Sequence, residues 1–304
     1  MCNAPITLSD GQQIACKKCD DCIKIVINDW TARAMAEKAT SMETLVFTLT
    51  YAPDANGVDP RGAVAFDYET VRGFLKRIRQ AYLRRYKTRG DIRFIVAGER
   101  GSQRGRVHWH MILFSDRPIS TLGVWSQHGK EQPMKNKAMQ SWTYWPYGHI
   151  VPDTADAATI RYTLKYIQKD KFNVVNSKGT MRYSKAENDG SSYFRMSKHP
   201  PLGQRWLDQK IERLHDLGSV LPNTNLKIPG LKGYWYPSGI LRTNLLTALH
   251  NINQERLELT GRDCPQWSSL LDSVVAVEKD WDLLQYGPIE RTDDGKSLEE
   301  ELKR

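Results

Sequence analysis

The sequence predicts an α+β protein, with an antiparallel hairpin in its first 210 residues and a mainly helical C-terminal region. Short apolar and β-branched runs at 45–51, 92–99 and 106–114 have the length and composition of strands. Between them, residues 71–86 repeat apolar side chains at helical spacing. After residue 200 the pattern is mainly helical, around 202–217, 240–259 and 266–283.

The predicted elements follow one another along the chain. Residues 20–39 have helical periodicity, and a strand over 45–51 comes next. Asp67 can cap the long helix that follows, because its carboxylate can accept from a free backbone N–H of the first turn. Six residues, RGSQRG, separate the strands at 92–99 and 106–114, so we expect an antiparallel hairpin.

Residues 115–145 look loop-rich, and GHIV at 148–151 is a further strand candidate. A helix is predicted over 155–169. We divide the chain into three parts: an N-terminal cysteine-rich segment with its helix, a central domain and a helical C-terminal region. Their bounds are 1–40, 41–220 and 221–304.

Composition narrows the function classes. Lys and Arg number 44 against 35 Asp and Glu, a formal net charge of +9, so a polyanion partner is expected. No run reaches the roughly 18 apolar residues of a membrane helix. The N-terminus lacks the basic and apolar regions of a secretory signal. Five cysteines, an odd number, argue against a secreted disulfide scaffold. These features predict a cytoplasmic protein that does not bind a membrane.

Two histidines stand two residues apart in the strand RVHWHMILF at 106–114. On a strand, His108 and His110 point to one face, about 7 Å apart, and Trp109 points to the other. Glu99, near the end of the partner strand, can add a carboxylate. This ligand set suits Mg²⁺ or Mn²⁺ beside a phosphate, and Zn²⁺ is possible. The alternative is a pair of half-exposed strand residues without a ligand.

Two tyrosines share one face of the helix RYTLKYIQK at 161–169. Tyr162 and Tyr166 are separated by about 40° and about 6 Å of rise. Lys165 and Lys169 repeat the same spacing beside them. A phenol is a weak nucleophile, but a nearby cation or metal stabilises the phenolate. The pair therefore suits successive attacks on phosphodiesters, although tyrosines at this spacing also serve in packing.

Basic residues are concentrated between Arg72 and Arg106, where twelve Lys and Arg stand against two acids. Such a face can neutralise DNA phosphates without reading sequence, or it can simply be solvated. The candidates for DNA binding are Lys76, Arg77, Arg84, Arg85, Lys87, Arg104 and Arg106.

Three cysteines lie close together in the sequence, as Cys16-x2-Cys19-x2-Cys22, with Cys2 as a possible fourth ligand. Four thiolates can hold a structural Zn²⁺. The alternative is a set of free thiols.

In their order along the chain, these motifs resemble those of the HUH endonucleases, whose name refers to two histidines around a bulky hydrophobic residue. The most similar group is the rolling-circle replication initiators of microviruses, in particular the gokushovirus-like branch of these single-stranded DNA phages. The motifs are LVFTLTY, then GERG with RVHWHMILF, then YTLKYIQK. The segments IACKKCDDCIK and FRMSKHPPLGQRW resemble the same branch.

The resemblance implies a central five-stranded antiparallel sheet flanked by helices. It implies metal ligation by His108, His110 and Glu99, and nucleophilic roles for Tyr162 and Tyr166. Such an enzyme nicks one strand of the double-stranded replicative form at the origin, stays bound as a 5′-phosphotyrosine and rejoins the displaced single strand. The implied setting is the cytoplasm of a bacterial host, with its helicase and DNA polymerase as partners.

Two other functions stay open from the sequence. A plasmid relaxase or a transposase of the HUH type shares the chemistry but not the setting. A non-catalytic zinc-containing protein that binds nucleic acid shares the charge and the cysteines but not the chemistry.

Overall fold

The computed structural model of the protein describes residues 2–9, 11, 13–16, 19–101, 105–125, 132–165 and 192–274. Three of the predicted functional residues lie outside the described residues, namely Arg104, Tyr166 and Lys169. The strands are β1 (Ile6–Thr7), β2 (Gln13–Ile14), β3 (Glu43–Leu49), β4 (Ile92–Arg100), β5 (Val107–Ser115), β6 (Val124–Trp125), β7 (Gln140–Trp142), β8 (Trp145–Asp153) and β9 (Ser192–Met196). The helices are α1 (Asp20–Ala39), α2 (Arg61–Val64), α3 (Tyr68–Tyr86), α4 (Ala157–Lys165), α5 (Gln204–Asp216) and α6 (Ile240–Thr260).

The chain forms two compact units. One, the sheet unit, is Glu37–His199; the other combines Met1–Ala36 with Pro200–Arg304 and is called the terminal unit here. This division differs from the boundaries at 40 and 220 that the sequence analysis drew. In the terminal unit, Asp29 of α1 accepts hydrogen bonds from Trp235 Nε1 (2.9 Å) and Ser238 Oγ (3.0 Å). The first helix is thereby joined to the segment before α6, far along the chain.

The sheet unit contains an antiparallel sheet in the order β6-β7-β8-β3-β5-β4-β9. The predicted α+β class is confirmed, with helices packed on this sheet. The implied count of five strands is wrong, because the described residues form seven in this sheet. The two extra strands, β6 and β7, are two and three residues long. They come from the segment that looked loop-rich, since runs this short carry almost no periodic signal.

One face of the sheet, the core face, packs against α3. Trp109 is fully buried on this face, as the alternation along β5 predicted, and its Nε1 donates to Tyr51 Oη (2.9 Å). Phe47 and Phe74 meet Trp142 with ring centroids 5.4 and 5.3 Å apart, edge to face. These large rings form the buried core of the unit and fix the sheet beneath α3.

Helix α3 begins and ends with recognisable caps. Asp67 is the N-cap, as predicted, and its Oδ1 accepts from the backbone N–H of Glu69 (3.1 Å). Lys87 closes the other end in the left-handed conformation, and its N–H bonds to Leu83 O. The helix buries the predicted apolar stripe, of which Val71, Phe74 and Ile78 are fully buried.

The terminal unit carries the predicted C-terminal helices. They are α5, α6 and a helical stretch at 267–274, so the mainly helical character is confirmed within the described range. Within that same range, no helix has the length and apolar composition needed to span a membrane.

Candidate active site

The hairpin of β4 and β5 brings the predicted metal ligands onto one face of the sheet. In the antiparallel register Glu99 pairs with His108, and Ala97 pairs with His110. Because alternate residues of a strand share a face, Glu99, His108 and His110 all lie opposite the core face. We call this side the histidine face.

Glu99 and His110 are in direct contact on the histidine face. His110 Nε2 lies 3.0 Å from Glu99 Oε2, and the two side chains are only 13% and 11% exposed. The other ring nitrogen, Nδ1, lies 3.1 Å from Thr48 Oγ1 on β3. The ring orientation of His110 is therefore held from both sides. Two ligands at 90° and about 2.1 Å from one ion also lie about 3 Å apart, so this spacing suits a shared octahedral cation.

His108 occupies a tighter place on the same face. Burial lowers its pKa below the usual value, and the neighbouring His110 lowers it further. Its Nδ1 is buried without a hydrogen-bond partner among the described residues. A Cβ added at Gly101 would lie 3.0 Å from His108 Nε2, so glycine leaves room for the ring. A neutral imidazole with an unused nitrogen is the form that ligates a metal.

Tyr162 reaches this face from α4, which packs against β5. A cavity of about 170 Å³ is lined by Tyr162, His110, Thr48 and Asp153, among other residues. The tyrosine is 58% exposed, so a substrate strand can approach its hydroxyl. The structure thus brings the predicted nucleophile and a predicted metal ligand to one cavity. Lys165 is exposed on the last described turn of α4.

The predicted basic face of α3 divides into two groups. Lys76, Arg84, Arg85 and Lys87 are exposed. Arg77, in contrast, donates from Nε to Tyr144 O (2.9 Å). Arg106, on the hairpin, donates to Tyr51 O (2.7 Å) and pairs with Asp59 (3.0 Å). These two guanidinium groups have structural partners, and a DNA role for them stays a prediction.

Four cysteines form a second cluster, in the terminal unit. The Sγ atoms of Cys2, Cys16, Cys19 and Cys22 all lie within 4.8 Å of one another. Cys16 and Cys22 are separated by 3.9 Å, and so are Cys2 and Cys19. A disulfide requires about 2.05 Å, whereas the sulfurs of a tetrahedral Zn²⁺ site with bonds of about 2.3 Å lie about 3.8 Å apart. The cluster can therefore hold a metal ion.

Backbone amides point at these sulfurs. Cys16 N–H donates to Cys2 Sγ (3.3 Å), and Cys19 N–H donates to Cys16 Sγ (3.2 Å). Burial raises the pKa of Cys19, but hydrogen bonds from the Cys22 and Asn3 backbone and from neighbouring thiols outweigh it and lower the pKa to about 6. Thiolate, the ligating form, is thus favoured. Among the described residues the two histidines and Glu99 do not form so tight a set of ligand atoms.

Two residues of the site escaped the sequence analysis. Thr48 contacts His110 because β3 pairs with β5, and no local pattern announces that pairing. Lys137 lines the cavity with Tyr162 and His110. It lies in a loop, where neither periodicity nor a motif singled it out.

Comparisons with known proteins agree on one kind of protein. The family model described as Replication-associated protein ORF2 matches residues 44–171, a segment that runs from β3 to beyond α4. Replication-associated protein ORF4 of Chlamydia phage 1 is 30% identical over 158 residues, 51% of this chain and 38% of that protein. No solved structure matches the chain.

Two further relatives match over a longer part of the chain. Replication-associated protein VP4 of Bdellovibrio phage phiMH2K is 24% identical over 225 residues, 73% of this chain and 66% of the relative. Replication-associated protein ORF2 of Spiroplasma virus 4 is 25% identical over 229 residues, 73% of this chain and 65% of the relative. The matches thus span between about two fifths and two thirds of these relatives.

Proposed function

We propose that the chain, a relative of the replication-associated proteins of microviruses as its motifs predicted, initiates rolling-circle DNA replication. In this proposal it is a metal-dependent endonuclease and strand transferase. It nicks one origin strand of the replicative form and later joins the displaced single strand into a circle. The proposed setting is the cytoplasm of a bacterial host, with the host helicase and DNA polymerase as partners.

One observation carries the proposal: the cavity that Tyr162 and His110 line together. A nucleophile must lie within reach of the groups that activate the phosphate. His110 is in turn bound to Glu99 at 3.0 Å, so nucleophile, imidazole and carboxylate are contiguous. A tyrosine that served only to pack α4 would be buried, whereas Tyr162 is 58% exposed.

The proposed step is a transesterification. The phenolic oxygen of Tyr162 forms a bond to the scissile phosphorus, while the bond from phosphorus to the 3′ oxygen breaks. The electron pair goes to the 3′ oxygen, which takes up a proton as the phenol releases one to water. The products are a 5′-phosphotyrosine and a 3′-OH. Phosphodiester energy is kept, so ATP is not required, and Tyr166 repeats the attack when the origin is regenerated.

His108, His110 and Glu99 are proposed to hold Mg²⁺ or Mn²⁺. The 3.0 Å contact between His110 and Glu99, together with the unused Nδ1 of His108, supports this donor set. When bound, the ion would polarise the phosphate under attack and stabilise the phenolate. Thr48 and the close packing at Gly101 keep the two imidazoles in place.

DNA is proposed to be gripped by the exposed basic side chains of α3 and of the hairpin. Lys76, Arg84, Arg85 and Lys87 offer phosphate contacts that do not depend on sequence. The contribution of Arg104 is part of the same proposal. Lys165 and Lys169 are proposed to assist the tyrosines.

The nucleophile can be tested by covalent trapping. The protein is incubated in Mn²⁺ with overlapping single-stranded oligonucleotides that cover the genome encoding the chain, and adducts resistant to SDS are counted. We expect one oligonucleotide to form an adduct, and the double variant Tyr162→Phe, Tyr166→Phe to form none. Tyr234→Phe is the matched control, because Tyr234 is similarly exposed, at 62%. Wild-type protein that forms no adduct, or a double variant that still does, contradicts the proposal.

We propose a second, structural metal at the four cysteines. The separations of 3.9 Å between sulfurs and the lowered pKa of Cys19 support Zn²⁺. A closed set of four thiolates leaves no position for a substrate, so its role is to hold the N-terminal segment. Metal analysis of purified protein should find about one zinc per chain. An observed zinc content near zero is the result that removes this second site.

A further inference from the structure

We propose that Lys137 is a catalytic residue that binds a non-bridging oxygen of the scissile phosphate. The inference rests on the proposed function and adds a residue to the same site. Lys137 lines the cavity of about 170 Å³ together with Tyr162 and His110. Its side chain is exposed, and a flexible ammonium group is a common phosphate ligand.

The backbone around Lys137 holds it at this cavity. Ala138 N–H bonds to Lys135 O (3.4 Å), which closes a turn in which Lys137 is the third residue. Lys137 N–H donates to Pro152 O (2.7 Å), and Pro152 lines the same cavity. The turn is therefore tied to β8, and the lysine projects from an anchored position.

The conformation of Lys137 is costly for its residue type. Its φ is 59°, in the left-handed region where a Cβ is disfavoured, and glycine is the usual residue at such a turn position. Lys87 has a similar φ, but there the conformation closes a helix. At residue 137 no helix ends. A strained residue that lines a cavity with a nucleophile is typical of a functional site.

The charges around the cavity fit a phosphate ligand. Asp153 also lines the cavity, and its carboxylate would repel a phosphate that approached without compensation. A cation at Lys137 offsets that repulsion and meets the charge that develops on the phosphate oxygens during the attack. Lys165 is exposed on α4, whereas Lys137 belongs to the cavity lining itself.

The first experiment compares Lys137→Met with Lys135→Met, a lysine two residues away that is exposed and does not line the cavity. We expect the rate of covalent adduct formation at saturating DNA to fall by about 10- to 100-fold in Lys137→Met. Lys135→Met should keep the wild-type rate. Lys137→Arg should recover part of the loss, because it restores the cation. Equal rates in Lys137→Met and wild type overturn the inference.

The second experiment separates catalysis from folding. Lys137→Gly removes the ammonium and also relieves the left-handed strain. We expect its thermal unfolding midpoint to equal or exceed that of wild type while its rate of adduct formation falls as in Lys137→Met. A variant with a lower midpoint and an unchanged rate would identify Lys137 as merely structural.

The outcomes distinguish this inference from the proposed function. If wild-type protein forms no adduct on any oligonucleotide, both fail together. If wild type forms the adduct and Lys137→Met forms it equally fast, the replication function stands and only the role of Lys137 fails.

Discussion

The chain carries two candidate metal sites of opposite character. The cysteine cluster is closed: four sulfurs within 4.8 Å, all from one ligand type, with backbone amides directed at them. The histidine face is open: two imidazoles and a carboxylate beside a cavity that an exposed tyrosine shares. A closed site satisfies its ion and stabilises structure, whereas an open site keeps positions for a substrate. We therefore expect damage to the first to be read in folding and damage to the second in catalysis.

Removing both histidines should give the largest effect. In the double variant His108→Ala, His110→Ala we expect adduct formation to fall by at least about 100-fold, since even supporting residues around metal ligands cost about 10- to 100-fold. The zinc content should stay near one per chain. His199→Ala, an exposed histidine of the same unit, is the control. Adduct assays and metal analysis on the same preparations check both parts.

The contrast between the two sites breaks down under either of two results. A histidine variant that nicks at the wild-type rate would show that the open site is not a metal site. A histidine variant that loses its zinc would show that zinc is not confined to the cysteines.

Damage to the closed site should be the next largest effect, and it should appear in stability. For Cys16→Ser with Cys22→Ser we expect zinc to fall from about one per chain to none. A loss of about 2 kcal/mol in the free energy of unfolding would lower the midpoint by about 4–8 °C. Calorimetry and metal analysis measure these quantities. Cys264→Ser is the control, because Cys264 is buried outside the cluster, and it should keep its zinc.

Both sites were partly visible in the sequence, for a shared physical reason. Spacing along one element decides whether side chains meet: His108 and His110 share a strand face, and Cys19 and Cys22 lie near the start of α1. The six-residue connection also placed Glu99 near the histidines, because a short hairpin allows few registers. Local geometry was therefore enough for the fold class and for most of the site.

Contacts between distant segments were not predictable in this way. Thr48 meets His110 only because β3 pairs with β5, and Lys137 reaches the cavity only because its turn bonds to β8. The extra strands β6 and β7 are too short for a periodic signal. Arg77 looked like a free DNA contact, but it follows the buried stripe of α3 closely enough to bind Tyr144 O. Such partners depend on tertiary packing, which one sequence does not reveal.

The smallest predicted effect concerns Thr48, which contacts the open site without being one of its proposed ligands. Thr48→Val keeps the shape of the side chain but removes the hydroxyl 3.1 Å from His110 Nδ1. The imidazole then loses one of its two positioning contacts, so we expect the Mn²⁺ concentration for half-maximal adduct formation to rise about 10-fold. Saturating Mn²⁺ should restore most of the rate, because Thr48 is not proposed to touch the phosphate.

The matched control for Thr48 is Thr50→Val, whose hydroxyl bonds to His149 O (3.1 Å) rather than to a proposed ligand. This control should leave the Mn²⁺ requirement unchanged. A Thr48→Val variant with a wild-type Mn²⁺ requirement would mean that His110 needs no support from β3. A reduced rate that Mn²⁺ does not rescue would instead mean that Thr48 acts on the DNA directly. The first result would leave Glu99 as the positioning partner of His110, and the second would enlarge the substrate side of the open site.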